Sequence, residues 1–285
     1  MKLPKIIFVM GKGGVGKTTV CALLGHTLSS NKRILLVELD GNKQHGRIFS
    51  KDTKYEHTDF NKDLSGLSIT PEEAIKEYIL KILRSKRLYS LLFENKIINP
   101  LLQSAPGLHE AVQLGKIYDL SISGQWDCII VDTPSTGHGI KIIEAAHGLM
   151  RLTKVGPMYS TNKDVDEYMQ ENSGILIVTL LEDLPYKESL ELIKALKNRW
   201  KKNIMGVVAN QNFFNADDDS PIETPQKTLP QALRIYLERK RIQREYWNRL
   251  KSNLSIPILN LNIISTKPCE DWKNKGQSIL QALED

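Results

Sequence analysis

The sequence predicts an α/β fold in which helices cover both faces of a doubly wound, mostly parallel sheet. Two observations carry this prediction: continuous, β-branched apolar runs recur along the chain, and helix-compatible segments separate them. The runs occupy residues 5–10, 34–39, 127–131, 175–180, 204–209 and 256–261. A chain of 285 residues, 41% hydrophobic and 25% charged, is long enough to bury such a core. We expect a single domain over residues 1–285.

The first apolar run leads into a glycine-rich loop. Residues 11–19 read GKGGVGKTT, which fits the P-loop spacing, and a helix-compatible segment follows up to residue 28. Backbone N–H groups of such a loop turn inward around phosphate oxygens. Lys17 would neutralise the β- and γ-phosphates, and Thr18 would offer its hydroxyl to Mg²⁺. The predicted nucleotide-binding residues of the loop are Gly11, Gly13, Gly14, Val15, Gly16, Lys17, Thr18 and Thr19. The fold is therefore expected to be of the P-loop NTPase type.

Lys12 directly follows the first glycine of the loop. A lysine here resembles the deviant Walker A class, which includes MinD, ParA, the nitrogenase iron protein and the arsenical-pump ATPases. The resemblance implies that Lys12 reaches across a dimer interface to the partner's nucleotide. A cation supplied in trans is worth about 10³–10⁵ in rate. A solvated loop lysine is the alternative interpretation.

The longest interruption of the strand pattern runs from about residue 70 to residue 123. It opens with Thr70 as a helix N-cap, Pro71 at the first helical position, and Glu72 and Glu73 in the first turn. Apolar residues follow up to residue 93, and a second helix is expected over residues 107–120. We interpret this segment as a helical insertion over the nucleotide edge of the sheet. Its apolar stripe is more readily explained as the core of the insertion than as a client groove. Residues 215–230, which are acidic and contain three prolines, predict an exposed loop.

Two of the predicted strands end near aspartates, at the edge where open α/β sheets bind ligands. Asp40 would orient the attacking water and help to organise Mg²⁺; capping of a turn is the alternative, and Glu38 competes weakly for the same role. Asp132 ends an apolar strand in the Walker B pattern and is the expected carboxylate beside Mg²⁺. The predicted metal-binding residues are thus Thr18, Asp40 and Asp132.

A polar, glycine-hinged loop is expected after the Walker B strand. Residues 135–139 read STGHG. Loops of this kind become ordered on a nucleoside triphosphate and relax after hydrolysis. Thr136, Gly137 and His138 are therefore predicted to sense the γ-phosphate.

Composition excludes several classes of protein. No apolar run approaches the ~18–20 residues of a membrane span, and the N-terminal run leads into the P-loop rather than forming a signal peptide. Cys21, Cys128 and Cys269 lie far apart, which argues against a disulfide framework, a Cys-type zinc site or an iron–sulfur cluster. Cys21 and Cys128 are expected in the core. We expect a cytoplasmic protein without stable membrane insertion.

The net charge of +6 is concentrated in residues 234–251. Apolar residues are interleaved there near helical spacing, so the segment predicts a surface helix with a solvated basic face. Contact with nucleic acid or anionic lipid is the less favoured alternative.

The residues after the Walker B strand resemble a known switch sequence. Residues 132–138 read DTPSTGH, similar to the Asp-Thr-Ala-Pro-Thr-Gly-His switch II of ArsA-type ATPases. This family contains the arsenical-pump ATPases and the ATPases that target tail-anchored membrane proteins. Further stretches resemble its bacterial single-domain members: ITPEEA at 69–74, APGL at 105–108, LGK at 114–116, VGP at 155–157, EDLP at 182–185 and VANQ at 208–211. The resemblance covers nearly the whole chain.

The resemblance implies a Mg²⁺-dependent ATPase that closes as a homodimer on ATP and couples closure to binding or transfer of a client protein. Lys12, Lys17 and Asp40 would be catalytic, with Lys12 acting across the interface and Asp40 positioning water. Asn210, at the end of a late strand, would read adenine, because an amide can donate and accept at once. A strand-end turn is the alternative role of Asn210.

Switch I and the cysteines depart from the family pattern. Residues 40–45 read DGNKQH, where pumping and targeting members continue Asp-Pro-Ala-His, so only the aspartate carries over. The CxxC zinc pair of some targeting dimers and the arsenite-binding cysteine cluster have no counterpart. The client therefore stays unidentified, and the partner is a second copy or a related ATPase subunit. Two other functions stay open. One is a ParA/MinD-like positioning ATPase, and the other is a low-turnover, nucleotide-gated regulatory scaffold.

Overall fold

The protein is built around one eight-stranded sheet. The computed structural model describes residues 3–83, 107–153, 157–214, 229–264 and 268–284. The strand order in these residues is β3-β4-β2-β5-β1-β6-β7-β8. The strands are β1 Ile6–Met10, β2 Ile34–Glu38, β3 Thr58–Asp59, β4 Leu64–Ser68, β5 Cys128–Asp132, β6 Ser173–Leu180, β7 Ile204–Asn212 and β8 Ile258–Asn262. Neighbouring strands are parallel except β3 and β4, so the predicted, mostly parallel sheet is confirmed.

Helices connect the parallel strands. In the described residues they are α1 Lys17–Leu28, α2 Gln44–Phe49, α3 Pro71–Leu83, α4 Leu108–Ile122, α5 Thr136–Thr153, α6 Pro157–Asn172, α7 Asp183–Leu196, α8 Gln231–Asn253 and α9 Glu270–Glu284. A short 3₁₀ helix covers Lys201–Asn203. The start predicted for α3 is confirmed. Thr70 Oγ1 accepts from the Glu73 N–H at 3.4 Å and donates to Glu73 Oε2 at 2.8 Å, which is a reciprocal cap.

Both faces of the sheet are buried, which explains the continuous apolar strands. Successive side chains of β1 alternate between two clusters: Phe8 belongs to one and Val9 to the other. Helices α3 to α7 contribute buried residues to the first cluster, whereas α1 and α9 cover the second. The doubly wound prediction is therefore confirmed.

The helices of the predicted insertion pack on the first face. Ile75 of α3 and Ile117 of α4 belong to the same buried cluster as Val37 of β2 and Val131 of β5. The second expected helix is confirmed as α4. Residues 84–106 lie outside the described part of the chain, as do residues 215–228 of the expected exposed loop. The single-domain assignment with an insertion over the nucleotide edge stays a prediction.

The segment between β2 and α3 contains structure that the sequence patterns did not predict. It holds α2, the short β3 and the fully buried β4, which pairs in parallel with β2. The β4 sequence, LSGLS, has no β-branched or aromatic residue, so it carries little strand propensity. A Cβ at Gly66 would lie 2.4 Å from the Phe60 ring, so this ring packs directly on the strand backbone.

Helix α9 lies in close contact with α1, the helix that begins at the glycine loop. A Cβ at Gly276 would lie 1.9 Å from Thr27 Oγ1, so only glycine allows this approach without a shift. Trp272 is fully buried, and its ring stands edge-on to His26 with centroids 6.1 Å apart. Helix α9 therefore braces the rear of α1.

The basic segment forms the surface helix α8, as predicted. It buries Trp247 and Leu250 and leaves most of its arginines at the surface. Arg241 and Arg249 pair with glutamates one turn earlier, at 2.7 and 2.5 Å. Cys21 and Cys128 are buried, also as predicted. None of the helices that the structure describes combines the length and apolar character needed to cross a bilayer.

Candidate nucleotide-binding site

The glycine loop connects β1 to α1 at the carboxyl edge of the sheet. Two of its glycines are required by close contacts: a Cβ at Gly11 would lie 2.2 Å from the Val178 carbonyl oxygen, and one at Gly16 would lie 2.2 Å from Asn210 Nδ2. Gly16 also has a φ of 92°, which disfavours any side chain. A Cβ at Gly13 or Gly14 would meet nothing within 4 Å. The outer side of the loop is therefore open to a phosphate chain.

Lys17 folds back over the loop. Its Nζ donates to the carbonyl oxygens of Gly11 at 3.1 Å and Lys12 at 3.0 Å. Burial lowers the pKa of Lys17, and the nearby carboxylate of Asp132 opposes this shift. The ammonium is therefore held by the loop, and its predicted contact with phosphates stays a prediction.

Thr18 and Asp132 meet at the start of α1. Thr18 Oγ1 donates to Asp132 Oδ2 at 2.6 Å, and Asp132 stands at the end of β5. Burial raises the pKa of Asp132 to about 6, while Thr18 and Lys17 act against the shift. A hydroxyl and a carboxylate are the hard oxygen donors that Mg²⁺ prefers, so this pair fits the predicted metal.

Asp40 lies at the same edge, and its charge acts on both Lys17 and Asp132. The two carboxylate oxygens accept from the Asn42 backbone N–H at 3.1 Å and the Asn42 side-chain amide at 2.6 Å. In this conformation Asp40 therefore caps the turn after β2, which is the alternative role that the sequence offered.

Glu38 holds switch I, a role that sequence reasoning missed. It is 1% exposed, and its Oε1 accepts from the backbone N–H groups of Gln44 at 2.5 Å and His45 at 3.1 Å. Burial raises the pKa of Glu38 to about 7, although both hydrogen bonds lower it. Its Oε2 is buried without a hydrogen-bond partner. Glu38 thus ties the start of α2 to the end of β2.

A second unpredicted feature is a cluster of Cys21, His45 and Asp132. One potential ligand atom from each lies within 4.8 Å of the others. His45 is fully buried, neither ring nitrogen has a hydrogen-bond partner, and Nε2 is 3.9 Å from Asp132 Oδ2. Burial lowers the pKa of His45 to about 3 and raises that of Cys21 well above its usual range. The pattern of the sequence gave no signal for this cluster, because its members come from α1, α2 and β5.

Lys12 makes an ion pair within its own chain. Its Nζ is 3.3 Å from Glu188 Oε1 of α7, and the two side chains are 28% and 30% exposed. Ion pairs of this exposure contribute about 0–1 kcal/mol. The predicted action of Lys12 across a dimer interface stays a prediction.

Asn210 braces the glycine loop. It is 3% exposed, and its Nδ2 donates to the Val15 carbonyl oxygen at 2.9 Å. Its Oδ1 accepts from the Gln211 N–H at 2.9 Å. The predicted contact with adenine stays a prediction, and the contact with Val15 is a role that the sequence did not reveal.

The prediction of a loop after Asp132 is wrong for residues 136–139, because these residues form the first turn of α5. The backbone N–H of His138 donates to the Ser135 carbonyl oxygen at 2.9 Å. Gly137 and His138 are exposed, whereas the side chain of Thr136 lies outside the described residues. Gly137 and Gly139 were interpreted as hinges, although the first turn of a helix also tolerates glycine. Their predicted role as γ-phosphate sensors stays a prediction.

The loop between β1 and α1, with Lys17, Thr18 and Asp132 around it, defines a P-loop α/β protein. A protein-family model, that of the anion-transporting ATPases of the ArsA type, matches residues 4–156. The match covers more than half of the chain. The protein belongs to this family.

Several named relatives support the same family assignment. The chain is 28% identical to the ATPase BagA of Mycobacterium tuberculosis over 230 residues, which cover 73% of this chain and 65% of BagA. It is 28% identical to the arsenical pump-driving ATPase of Acidiphilium multivorum over 213 residues, 69% of this chain and 35% of that protein. The arsenical pump-driving ATPase of Escherichia coli is 27% identical over 183 residues, 58% of this chain and 31% of that protein. The chain thus spans less than two thirds of these relatives.

Proposed function

We propose that this protein is a Mg²⁺-dependent ATPase that acts as a dimeric switch and couples closure on ATP to binding or transfer of a client protein. The observation that carries the proposal is the hydrogen bond of 2.6 Å between Thr18 and Asp132, beside the half-buried ammonium of Lys17. These groups lie under a glycine loop whose outer side is open. Membership of the ATPase family supports the choice of ATP.

The residues of the loop have distinct tasks. Lys17 would exchange the carbonyl oxygens of Gly11 and Lys12 for phosphate oxygens. Thr18 and Asp132 would hold Mg²⁺, which supplies positive charge to the phosphate oxygens when it is bound. Above pH 6 Asp132 is ionised, so at neutral pH it is ready for this task.

Asp40 would orient the attacking water once it leaves Asn42. A carboxylate with two accepting oxygens can hold a water molecule and take up its proton. In the structure both oxygens are engaged by Asn42, so a change in the turn after β2 must precede catalysis. Such a change is a natural consequence of closure, because the same turn leads into α2.

Two observations support the proposed dimer and its client: the position of Lys12 and the membership of the family. Lys12 stands at the open side of the loop, and only a weak ion pair with Glu188 would have to break before it reaches a partner subunit. The relatives named arsenical pump-driving ATPases couple ATP to the work of a pump. We propose that this chain couples ATP to a client in the cytoplasm, where ATP is abundant, with a second copy or a related subunit as partner.

Phosphate release in the presence and absence of Mg²⁺ tests the proposal. Lys17→Ala should weaken ATP binding by about 10–100-fold, because a charge-assisted hydrogen bond is worth about 1.5–3 kcal/mol. Lys163→Ala is a matched control, since Lys163 is exposed on α6 and pairs with Glu167. Equal ATP binding and hydrolysis by the wild type and Lys17→Ala would overturn the proposed site.

A low-turnover regulatory scaffold is the second candidate, and the engagement of Asp40 by Asn42 favours it. Comparison of Asp40→Asn with the wild type separates the two functions. If the protein is an ATPase that uses Asp40, the Asp40→Asn variant should bind ATP normally. It should hydrolyse ATP at least about 100-fold more slowly than the wild type, which is the size of a general-base contribution. Equal hydrolysis rates would support the scaffold.

A further inference from the structure

The cluster beneath the glycine loop is buried and rich in unused lone pairs. Cys21 and His45 are fully buried, and the side chain of Asp132 is 10% exposed. Both ring nitrogens of His45 lack hydrogen-bond partners, and so does Glu38 Oε2 close by. Such orphaned buried groups are rare in folded proteins, and an absent water or ion commonly accounts for them.

The chemistry of the three side chains favours an ion over water. A thiol and an imidazole bind borderline-soft divalent metals, and a carboxylate adds a negative charge. Neither ring nitrogen of His45 is held by a hydrogen bond, so the imidazole can serve as a metal ligand. We propose that Cys21, His45 and Asp132 form a binding site for a divalent transition metal of the Zn²⁺ class, distinct in ligand type from the Mg²⁺ site.

The geometry needs only a small adjustment. Zn²⁺ binds thiolate, imidazole and carboxylate donors at about 2.0–2.3 Å, which places tetrahedral ligand atoms about 3.3–3.6 Å apart. His45 Nε2 and Asp132 Oδ2 are already 3.9 Å apart, and all three ligand atoms lie within 4.8 Å. Side-chain movements of about 1 Å therefore close the site. Three protein ligands leave the fourth position to water.

Binding at this site would exchange one proton for the metal. The thiol proton of Cys21 is released to solvent as the metal–thiolate bond forms, while His45 and ionised Asp132 bind without losing a proton. Asp132 lies at the solvent-exposed edge of the cluster, so the ion would enter past this residue.

The metal would also act on the nucleotide site. The oxygen that faces His45, Asp132 Oδ2, is the one that accepts from Thr18 at 2.6 Å. A soft metal on this oxygen would compete with the Thr18 contact and would link α2 to α1. Occupation of the cluster should therefore oppose Mg²⁺ binding and hold switch I in place.

Co²⁺ titration of the metal-free, nucleotide-free protein tests the site, and it does not depend on ATP hydrolysis. We expect one equivalent of Co²⁺ to give an intense sulfur-to-metal charge-transfer band in the near ultraviolet, together with the visible bands of a tetrahedral ion. One equivalent of Zn²⁺ should abolish both. Cys21→Ala should lose the charge-transfer band. Cys128→Ala should keep it, because Cys128 is equally buried but lies at the other end of β5.

A second variant covers the case in which Cys21→Ala does not fold. His45→Gln should weaken Co²⁺ binding by at least about tenfold, the lower bound for loss of even an outer-shell partner. Circular dichroism confirms that each variant is folded. The proposal is overturned if the wild type shows no charge-transfer band, if the band persists in folded Cys21→Ala, or if His45→Gln binds Co²⁺ as the wild type does.

Discussion

At the scale of single residues, the functional side chains of this site bind the protein's own backbone. Lys17 holds two carbonyl oxygens of the glycine loop, Glu38 holds two N–H groups of switch I, and Asn210 holds the Val15 carbonyl oxygen. These contacts hold the glycine loop and switch I in place. The site is thus pre-formed.

Glu38 makes stability depend on pH. Its pKa is about 7 in the fold against an ordinary value of 4.5, so the fold favours the protonated form. The stabilisation is fully present below pH 4.5 and is lost as pH rises through 7. Asp132, with a pKa of about 6, acts in the same direction. We expect the free energy of unfolding of the metal-free protein to fall between pH 5 and pH 8.

Glu38→Gln tests this prediction. Glutamine can still accept from Gln44 and His45 but cannot ionise, so the variant should exceed the wild type in stability at pH 8 by on the order of 1–3 kcal/mol. The difference should shrink towards pH 5. Urea unfolding with EDTA present measures it, and exposed Glu72→Gln is the control. Parallel pH profiles for Glu38→Gln and the wild type would refute the assignment.

At the scale of elements, the contact between α1 and α9 makes one glycine indispensable. Gly276→Ala would place a Cβ 1.9 Å from Thr27 Oγ1, and overpacking of this kind costs about 1–3 kcal/mol. The same change at Gly148 of α5, where a Cβ meets nothing within 4 Å, should stabilise the protein by about 0.5–1 kcal/mol through helix propensity. Thermal unfolding measures both.

The double variant Thr27→Ala/Gly276→Ala checks the cause. Thr27→Ala removes Oγ1 and Cγ2 and leaves only Cβ, at 2.8 Å, in close contact with the new Cβ. The two changes together should therefore destabilise the fold less than the sum of the single changes. Additive losses, or a Gly276→Ala protein as stable as Gly148→Ala, would show that the two helices are not in close contact.

At the scale of the whole molecule, the proposed dimer depends on Lys12. Lys12→Ala should bind ATP with unchanged affinity but should lose ATP-dependent dimerisation and hydrolysis, because the cation in trans is missing. Glu188→Gln is the matched variant: it releases Lys12 from its ion pair and should dimerise at least as well as the wild type. Sedimentation with Mg²⁺ and ATP measures the dimers. Hydrolysis by Lys12→Ala at the wild-type rate would contradict the mechanism.

The sequence predicted those parts of the molecule that short, local patterns of residues determine. The β-branched runs predicted six of the strands. The glycine loop singled out Lys17 and Thr18, and the Walker B pattern singled out Asp132; the structure brings Thr18 and Asp132 together. Strand β4 was not predicted, because LSGLS is stabilised by its neighbours rather than by its own strand propensity. Two sets of contacts were not predicted, because they join distant segments and a single sequence carries no signal for such contacts. They are the cluster of Cys21, His45 and Asp132 and the ion pair of Lys12 with Glu188.

The brace that α9 provides to α1 has a consequence for biosynthesis. Thr27 and Trp272 are 245 residues apart along the chain, yet the rear of the P-loop helix is covered only when the two meet. At a synthesis rate of about 5–20 residues per second, the side of α1 that faces α9 would stay uncovered on the ribosome for on the order of ten seconds or more. A nascent chain would thus carry its phosphate-binding sequence long before it could use it, and chaperones would have that interval in which to bind.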